Sequence, residues 1–171
     1  MLAYKKGREA RKIVKDTFQE VADLVVPTMG AKGLYVAINQ DFGAATLTDD
    51  GVTVAREAVK MTGMKRMIAM DMIEAATNTE KEALDGTTLT VLLTNEIYKV
   101  GYRMIKRGMH PQNVADILSK EVQEIRKHLK EKKLDMHKEY VKDIATISTK
   151  IPMIGKLVAE AYDKAGKDMN I

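Results

Sequence analysis

The chain has 171 residues, of which 30% are charged and 45% are hydrophobic, so it has enough apolar material for one ordinary domain with its own core. The 28 lysines and arginines barely exceed the 24 acidic residues, and a net charge of +4 with no tryptophan argues against nucleic acid as a partner. The absence of cysteine excludes disulfide and thiolate chemistry. Because we find neither a signal peptide nor an apolar run of about 20 residues, we expect no membrane span and a cytoplasmic location.

The first third of the chain predicts a helix followed by a small hairpin. Apolar residues at helical spacing predict a helix from about Gly7 to Val26, which Pro27 ends. A glycine-rich loop runs from there to Gly33. The segments 34–38 and 45–48 are predicted to be the two antiparallel strands of a hairpin, which a tight turn at 49–51 closes. Since two strands alone are marginally stable, we expect the hairpin to pack on helices or to pair with another chain.

The rest of the chain predicts four longer helical segments. A helix is expected from about Gly63 to Ala83, a second up to Gly108, a third from Pro111, and a last one after Pro152, with Gly166 and Lys167 as its C-terminal cap. The last three are each expected to bury one apolar stripe. The stripes are Leu89, Leu93, Ile97, Val100 and Met104; Val114, Leu118, Val122, Ile125 and Leu129; and Ile154, Leu157, Val158, Ala161 and Ala165.

Five methionines crowd the helix near its start, at positions 61, 64, 67, 70 and 72. Methionine is unbranched and polarisable, so it fills irregular gaps in cores and subunit contacts, and it also lines adaptable binding surfaces. Core or subunit packing is the ordinary interpretation. The alternative is a helical adaptor that binds a partner through this helix and behaves as a stable monomer.

The segment Asp85-Gly86-Thr87-Thr88 lies where one helix is predicted to end and the most apolar helix begins. The unpaired N–H groups and the positive dipole end at a helix N-terminus attract anions. Gly86 would let a ligand approach the backbone closely, the threonines offer O–H donors, and Asp85 suits a hard cation such as Mg²⁺. In the alternative interpretation Asp85 is an N-cap and the threonines are ordinary first-turn residues.

Other kinds of chemistry lack candidates in this sequence. The histidines at 110, 128 and 137 match no metal-binding spacing, and no Ser-His-Asp arrangement can be recognised. A Walker-type phosphate loop is also absent. Phosphate chemistry asks mainly for positioning, a metal and a carboxylate that orients water, and the turns at Asp50-Gly51 and Asp85-Gly86 could supply the last two.

Seven sequence blocks in register resemble the N-terminal part of a chaperonin subunit of the bacterial, group I type. The blocks are Met29–Gly33, Phe42–Ala44, Asp50–Glu57, Asp85–Thr88, Gly108–Pro111, Thr146–Ser148 and Gly155–Ala161. The resemblance implies a mainly α fold, an equatorial-domain-like helical bundle with a small β-hairpin. It places that ATP-binding domain at 1–134 and the start of an intermediate-like segment at 135–171, without an apical domain. It also implies assembly into a ring of identical subunits.

Carried over by position, the resemblance assigns roles around a bound ATP. Asp85 would bind Mg²⁺, and Gly86, Thr87 and Thr88 would hold the phosphates. From the other side, Thr28, Met29 and Gly30 would contact the nucleotide. Asp50, next to Gly51, matches the carboxylate that orients the attacking water, and Ser148 lies in a segment that the family places near the nucleotide.

The chain departs from the family pattern at several positions in these blocks. Leu84 and Leu89 stand where the family has glycine and a third threonine, so a branched side chain is added and one hydroxyl is lost. Asp49 replaces a common lysine, and Ala31 replaces a frequent proline. These changes weaken the expectation of efficient hydrolysis more than that of the fold.

The resemblance covers only the N-terminal part of a subunit. The segment that would return to complete the nucleotide pocket and to cover Leu93 and Ile97 is not in this sequence. A fragment, one half of a split chaperonin, and a natural short form all remain open. The expected function is ATP-dependent assistance of protein folding, with ATPase activity if the site is completed and unfolded polypeptides as clients if an apical domain is supplied. The alternative is a structural or assembly protein without either activity.

Overall fold

The structure is a computed structural model that describes residues 5–30, 32–40, 43–135 and 137–165. These residues form seven α-helices and one antiparallel hairpin, so the chain is mainly helical. The helices are α1 (Gly7–Val25), α2 (Gly51–Arg56), α3 (Gly63–Ala83), α4 (Thr87–Lys106), α5 (Pro111–Lys132), α6 (Lys138–Thr149) and α7 (Pro152–Ala165), and the strands are β1 (Val36–Ile38) and β2 (Thr46–Thr48). Short 3₁₀ turns follow α1 at Val26–Thr28 and α2 at Glu57–Lys60.

The chain divides into two compact units within α5, between Leu118 and Ser119. The first unit contains α1 to α4 and the hairpin, and the second contains α6 and α7. The domain boundary at 134/135 that the resemblance implies stays a prediction.

The core of the first unit lies where α1, α2, α3 and α4 pack together. Its fully buried side chains include Val21, Val25, Val52, Met72 and Val91. The hairpin joins this core through Ile38, which is buried and pairs with Thr46 across the two strands. Both strands are shorter than predicted, since Leu34 and Tyr35 are exposed and lie before the paired residues.

The predicted buried face of α4 is wrong. The residues that α4 buries are Val91, Asn95 and Gly101, whereas Leu93 and Ile97 are 48% and 43% exposed. Helix α4 carries apolar residues on more than one side, so helical periodicity alone does not select the side against which α1 and α3 pack. The exposed face includes Leu93 and Ile97, the two residues expected to lack a covering segment.

The predicted stripes of α5 and α7 are also largely exposed. In α5 only Val114 is buried, while Val122, Ile125 and Leu129 face solvent. In α7 the buried residues are small, Gly155 and Ala159. Small residues let two helix backbones approach closely, and this contact, rather than the larger apolar side chains, selects the packed face of α7.

Helices α6 and α7 form a helical hairpin in the second unit. A Cβ atom placed on Gly155 would lie 1.9 Å from Thr146 Oγ1 and 2.7 Å from the Lys142 carbonyl oxygen. The ammonium of Lys138 forms an ion pair with Asp163 on the other helix. The predicted cap at Gly166 and Lys167 lies outside the described residues, as does Ala31.

The methionines of the α3 region divide between core and surface. Met72 is completely buried in the core, whereas Met67 and Met70 are exposed. The core interpretation is therefore confirmed for Met72. Among the described helices, none is long and apolar enough to pass through a bilayer.

Candidate functional site

The corner between α3 and α4 is built from two residues in the left-handed conformation. Leu84, the C-cap of α3, has φ 57°, and Gly86, the N-cap of α4, has φ 83°. Because glycine has no side chain, Gly86 makes no capping hydrogen bond, so no capping side chain occupies the first-turn N–H groups of α4. The alternative interpretation, in which Asp85 is the N-cap, is wrong.

Asp85 lies between these two residues and is exposed. Its Oδ1 accepts a hydrogen bond of 2.6 Å from the backbone N–H of Gly86. This bond holds the carboxylate at the entrance of α4, beside Thr87 and Thr88 in the first turn. A carboxylate at this place can bind a cation that also contacts an anion on the helix N-terminus.

Thr28 approaches the same helix turn from the 3₁₀ turn after α1. It is buried, and its hydroxyl donates to the Val25 carbonyl at 2.8 Å. Its Oγ1 also lies 3.3 Å from Thr88 Oγ1. Met29 and Gly30 follow directly, and Gly30 has φ 81°, a conformation that favours glycine. The loop after α1 therefore meets the first turn of α4 through two hydroxyls.

Gly51, the first residue of α2, contacts the same threonine. A Cβ atom on Gly51 would lie 2.0 Å from Thr88 Oγ1, which is far inside van der Waals contact. The small residue is required because the backbone of α2 passes directly over Thr88. The structure thus brings together Thr28, Gly51 and Thr88, three predicted site residues from three separate segments.

Asp50 precedes Gly51 and is the N-cap of α2. Its Oδ2 accepts a 2.8 Å hydrogen bond from the Thr53 backbone N–H and another from the Thr53 hydroxyl. The residue is exposed, so the carboxylate is oriented by its own helix and still meets solvent. The Asp50–Thr53 spacing is that of an N-cap and its N3 partner.

Ser148 lies on α6 and is exposed. It belongs to the second unit, whereas all the other predicted site residues belong to the first. Its place near a nucleotide stays a prediction.

The two leucines that replace the family's glycine and third threonine do not fill the corner between α3 and α4. Leu84 is 86% exposed, and Leu89 in the first turn of α4 is also exposed. Among the described residues, no group of three or more histidine, aspartate or glutamate side chains could hold a metal ion. Mg²⁺ at Asp85 would therefore need ligands from elsewhere, and phosphate oxygens are its usual partners.

Several residues that shape this site are not apparent from sequence reasoning. A Cβ atom on Gly33 would lie 2.1 Å from the Thr28 carbonyl oxygen, so this glycine allows the loop to fold back on Thr28. Thr53 orients Asp50, a role that the Asp-x-x-Thr spacing could have indicated. Thr79 and Thr90 join α3 to α4 through their hydroxyls at 3.0 Å, and no sequence signal marks that pair.

Tyr98 lies further along α4, and its hydroxyl donates to the Arg11 carbonyl at 3.2 Å. Burial raises the pKa of Tyr98, and the positive charge of Arg11 acts in the opposite direction. The ring packs edge-on against Phe18 with centroids 5.3 Å apart. This contact attaches α4 to α1 in the core beyond the candidate site.

Comparison with known proteins gives the same assignment as the sequence blocks. Residues 21–170 match the model of the TCP-1/cpn60 chaperonin family. Two crystal structures of the chaperonin gp146 from the bacteriophage EL 2 (Pseudomonas aeruginosa), obtained in presence of ATP-BeFx, are 28% identical to this chain. Crystal form I has a TM-score of 0.78 over 94% of this chain, and crystal form II has 0.74 over 92%.

The chain spans 28–29% of the length of the gp146 chains that it matches. Within that part, the comparisons confirm the predicted fold class, a mainly α chaperonin-like bundle with a small β-hairpin. The family match covers most of the chain and includes every segment of the candidate site. The protein therefore belongs to the TCP-1/cpn60 chaperonin family.

Proposed function

We propose that this chain is the nucleotide-binding N-terminal portion of a chaperonin subunit, and that it binds ATP with Mg²⁺ at the corner between α3 and α4. One observation carries the proposal. Thr28, Gly51 and Thr88, which are far apart in the sequence, converge on the first turn of α4, where no side chain caps the helix. An uncapped helix N-terminus lined by hydroxyls is suited to phosphate groups.

The phosphates would contact the N–H groups of the first turn of α4 together with the hydroxyls of Thr87 and Thr88. Gly86 adopts the left-handed conformation, with φ 83°, that shapes this entrance and that residues with a side chain rarely adopt. Asp85 would bind Mg²⁺ with the carboxylate that its bond to the Gly86 N–H already orients. Mg²⁺ and ATP, when bound, would supply charge neutralisation and the phosphoryl group for hydrolysis.

The loop residues Thr28, Met29 and Gly30 would contact the nucleotide from the opposite side. Asp50 would orient the attacking water with its carboxylate, which Thr53 holds in place. Gly51 keeps the start of α2, next to Asp50, against Thr88. The resemblance alone proposes Ser148 as a nucleotide contact. The gp146 structures obtained in presence of ATP-BeFx support a nucleotide ligand for this family fold.

The activity of the whole assembly is part of the same proposal. We infer that subunits form a ring in the cytoplasm and assist the folding of unfolded polypeptides at the expense of ATP. The family match supports a chaperonin-type role. Client binding and ATPase turnover would require the parts of a subunit that this chain, at 28–29% of the gp146 length, does not span.

Calorimetric titration of the chain with ATP, with and without Mg²⁺, tests the proposal. Asp85→Ala should remove the Mg²⁺-dependent part of binding, a loss of about tenfold or more in affinity, or about 1.4 kcal/mol. Asp71→Ala is the matched control, since Asp71 is an exposed aspartate on α3. The proposal is rejected if the wild-type chain binds no nucleotide, or if Asp85→Ala binds as well as the wild type.

A chaperonin-derived structural or assembly protein is the second candidate. Asp49, which replaces a lysine that is common in the family, favours it, because an anion then stands where a cation would face the phosphates. It predicts a defined oligomer in light scattering with no ATP binding and no phosphate release. Mg²⁺-dependent ATP binding that Asp85→Ala abolishes would count against it.

A further inference from the structure

Two threonines outside the predicted site join α3 to α4 next to Gly86. The hydroxyls of Thr79 on α3 and Thr90 on α4 lie 3.0 Å apart, and both are partly buried. Thr90 Oγ1 also donates to the Gly86 carbonyl at 3.0 Å. Thr79 Oγ1 lies 3.0 Å from the Ala75 carbonyl as well, so its single proton has two acceptors.

The Thr79 side chain also lies near the open side of the Gly86 Cα atom. The Thr79 methyl group lies 3.7 Å from the point where a Cβ atom on Gly86 would be. The Gly86 carbonyl additionally accepts the backbone N–H of Thr90 at 2.9 Å. The carbonyl of the N-cap residue of α4 thus accepts both the N–H and the hydroxyl of Thr90, and the Thr79 hydroxyl lies against that of Thr90.

We infer that Thr79 and Thr90 form a hydroxyl clasp that positions the Gly86 corner for the phosphates. The clasp acts on the Gly86 carbonyl, whereas Asp85 accepts the Gly86 N–H, and Thr28 and Gly51 meet Thr88 in the first turn of α4. Both threonines are positioning residues that act through the backbone of Gly86. The inference rests on the proposed nucleotide function, and the following experiment separates the two.

Substitutions in two directions distinguish the hydroxyls from the packing. Thr79→Val and Thr90→Val keep the branched shape and remove the hydroxyl, whereas Thr79→Ser and Thr90→Ser keep the hydroxyl and remove the methyl. Thr94→Val is the matched control, because Thr94 lies one turn further along α4 and is also partly buried. Valine and threonine have similar helix propensities, so helix formation itself is little affected.

The first readout is amide hydrogen exchange without nucleotide. The N–H groups of Leu84 and Thr90 bond the Glu80 and Gly86 carbonyls at 2.9 Å and report opening of the corner. Both valine variants should lower protection at these amides by about three- to tenfold, as expected for loss of one partly buried hydrogen bond. The double valine variant should lose less than the product of the single effects, and the serine variants should retain most protection.

The second readout is Mg²⁺-dependent ATP affinity, which should fall in the valine variants and recover in the serine variants. If the Thr79→Val and Thr90→Val variants show the same protection at the Leu84 and Thr90 amides as Thr94→Val, the clasp is overturned. Lower protection with unaltered ATP affinity would overturn its positioning role. If no variant and no wild-type chain binds ATP, the proposed function fails by that result alone, whatever the exchange data show.

Discussion

The contact between α2 and Thr88 makes Gly51→Ala the most direct test of how the site is assembled. The added Cβ atom would lie 2.0 Å from Thr88 Oγ1, 3.2 Å from Thr88 Cβ and 3.4 Å from Thr88 Cα. The hydroxyl must therefore rotate away, which also separates it from Thr28. Overpacking of this kind costs about 1–3 kcal/mol, and the higher helix propensity of alanine returns up to about 1 kcal/mol.

We expect Gly51→Ala to lower the free energy of unfolding by about 1–2 kcal/mol, or the melting temperature by about 3–6 °C for a chain of this size. Thermal unfolding followed by far-ultraviolet circular dichroism measures the change. Under the proposed function, Gly51→Ala should also weaken Mg²⁺-dependent ATP binding, because Thr88 is displaced from the proposed phosphate site.

A double-mutant cycle shows whether the clash is the cause. Thr88→Ala removes the hydroxyl that Gly51→Ala would meet, so the double variant should be more stable than the sum of the two single effects predicts, by about 1 kcal/mol. An unchanged melting temperature in Gly51→Ala, or strictly additive effects in the cycle, would refute the reasoning.

Three further predictions concern other parts of the chain. Gly155→Ala should weaken the packing of α6 against α7 by about 2–3 kcal/mol, because the new Cβ meets the Lys142 backbone and no rotamer change relieves that clash. Amide hydrogen exchange in residues 138–165 measures the effect, and protection equal to that of the wild type would contradict it. Burial raises the pKa of Tyr98, so its contribution to stability is complete below the unfolded value of about 10 and is lost as the pH rises through the folded pKa. Urea titrations at increasing pH should show that loss, and Tyr98→Phe should reduce it. Val91→Ala should destabilise the chain by about 2 kcal/mol and Leu93→Ala by much less, the reverse of the order that helical periodicity alone predicts; urea unfolding measures both.

The limits of each helix were easier to predict than its buried side. The observed bounds of α3, Gly63–Ala83, agree with the predicted ones, because a glycine opens its first turn and a loop motif follows its last. Helix α4 shows the opposite case, since leucines and isoleucine on one side compete with Val91 and Tyr98 on another. The helices that pack against α4 decide which of its sides is buried. Asn95 is only 2% exposed, yet as a polar residue it gives no hydrophobic signal in the sequence.

The candidate site divides in a similar way. The resemblance to chaperonins predicted which residues form the site. Local chemistry explained why Gly86 and the threonines suit an anion. Neither could show that Gly51 contacts Thr88, because that contact joins residues from different helices. The Thr79–Thr90 pair was missed for the same reason, since threonine inside a helix is ordinary when viewed alone.

The left-handed backbone of Leu84 makes the candidate site dependent on the folded state. A leucine in the left-handed region is held there against its own preference, at a cost of about 1–2 kcal/mol, and such a conformation persists only while its surroundings enforce it. A peptide carrying residues 75–95 alone would relax to an ordinary helix or coil at this point. The geometry around Asp85 is therefore a product of tertiary folding, so denaturant, heat or core mutations that separate α3 from α4 should abolish the proposed nucleotide binding before the helices themselves melt.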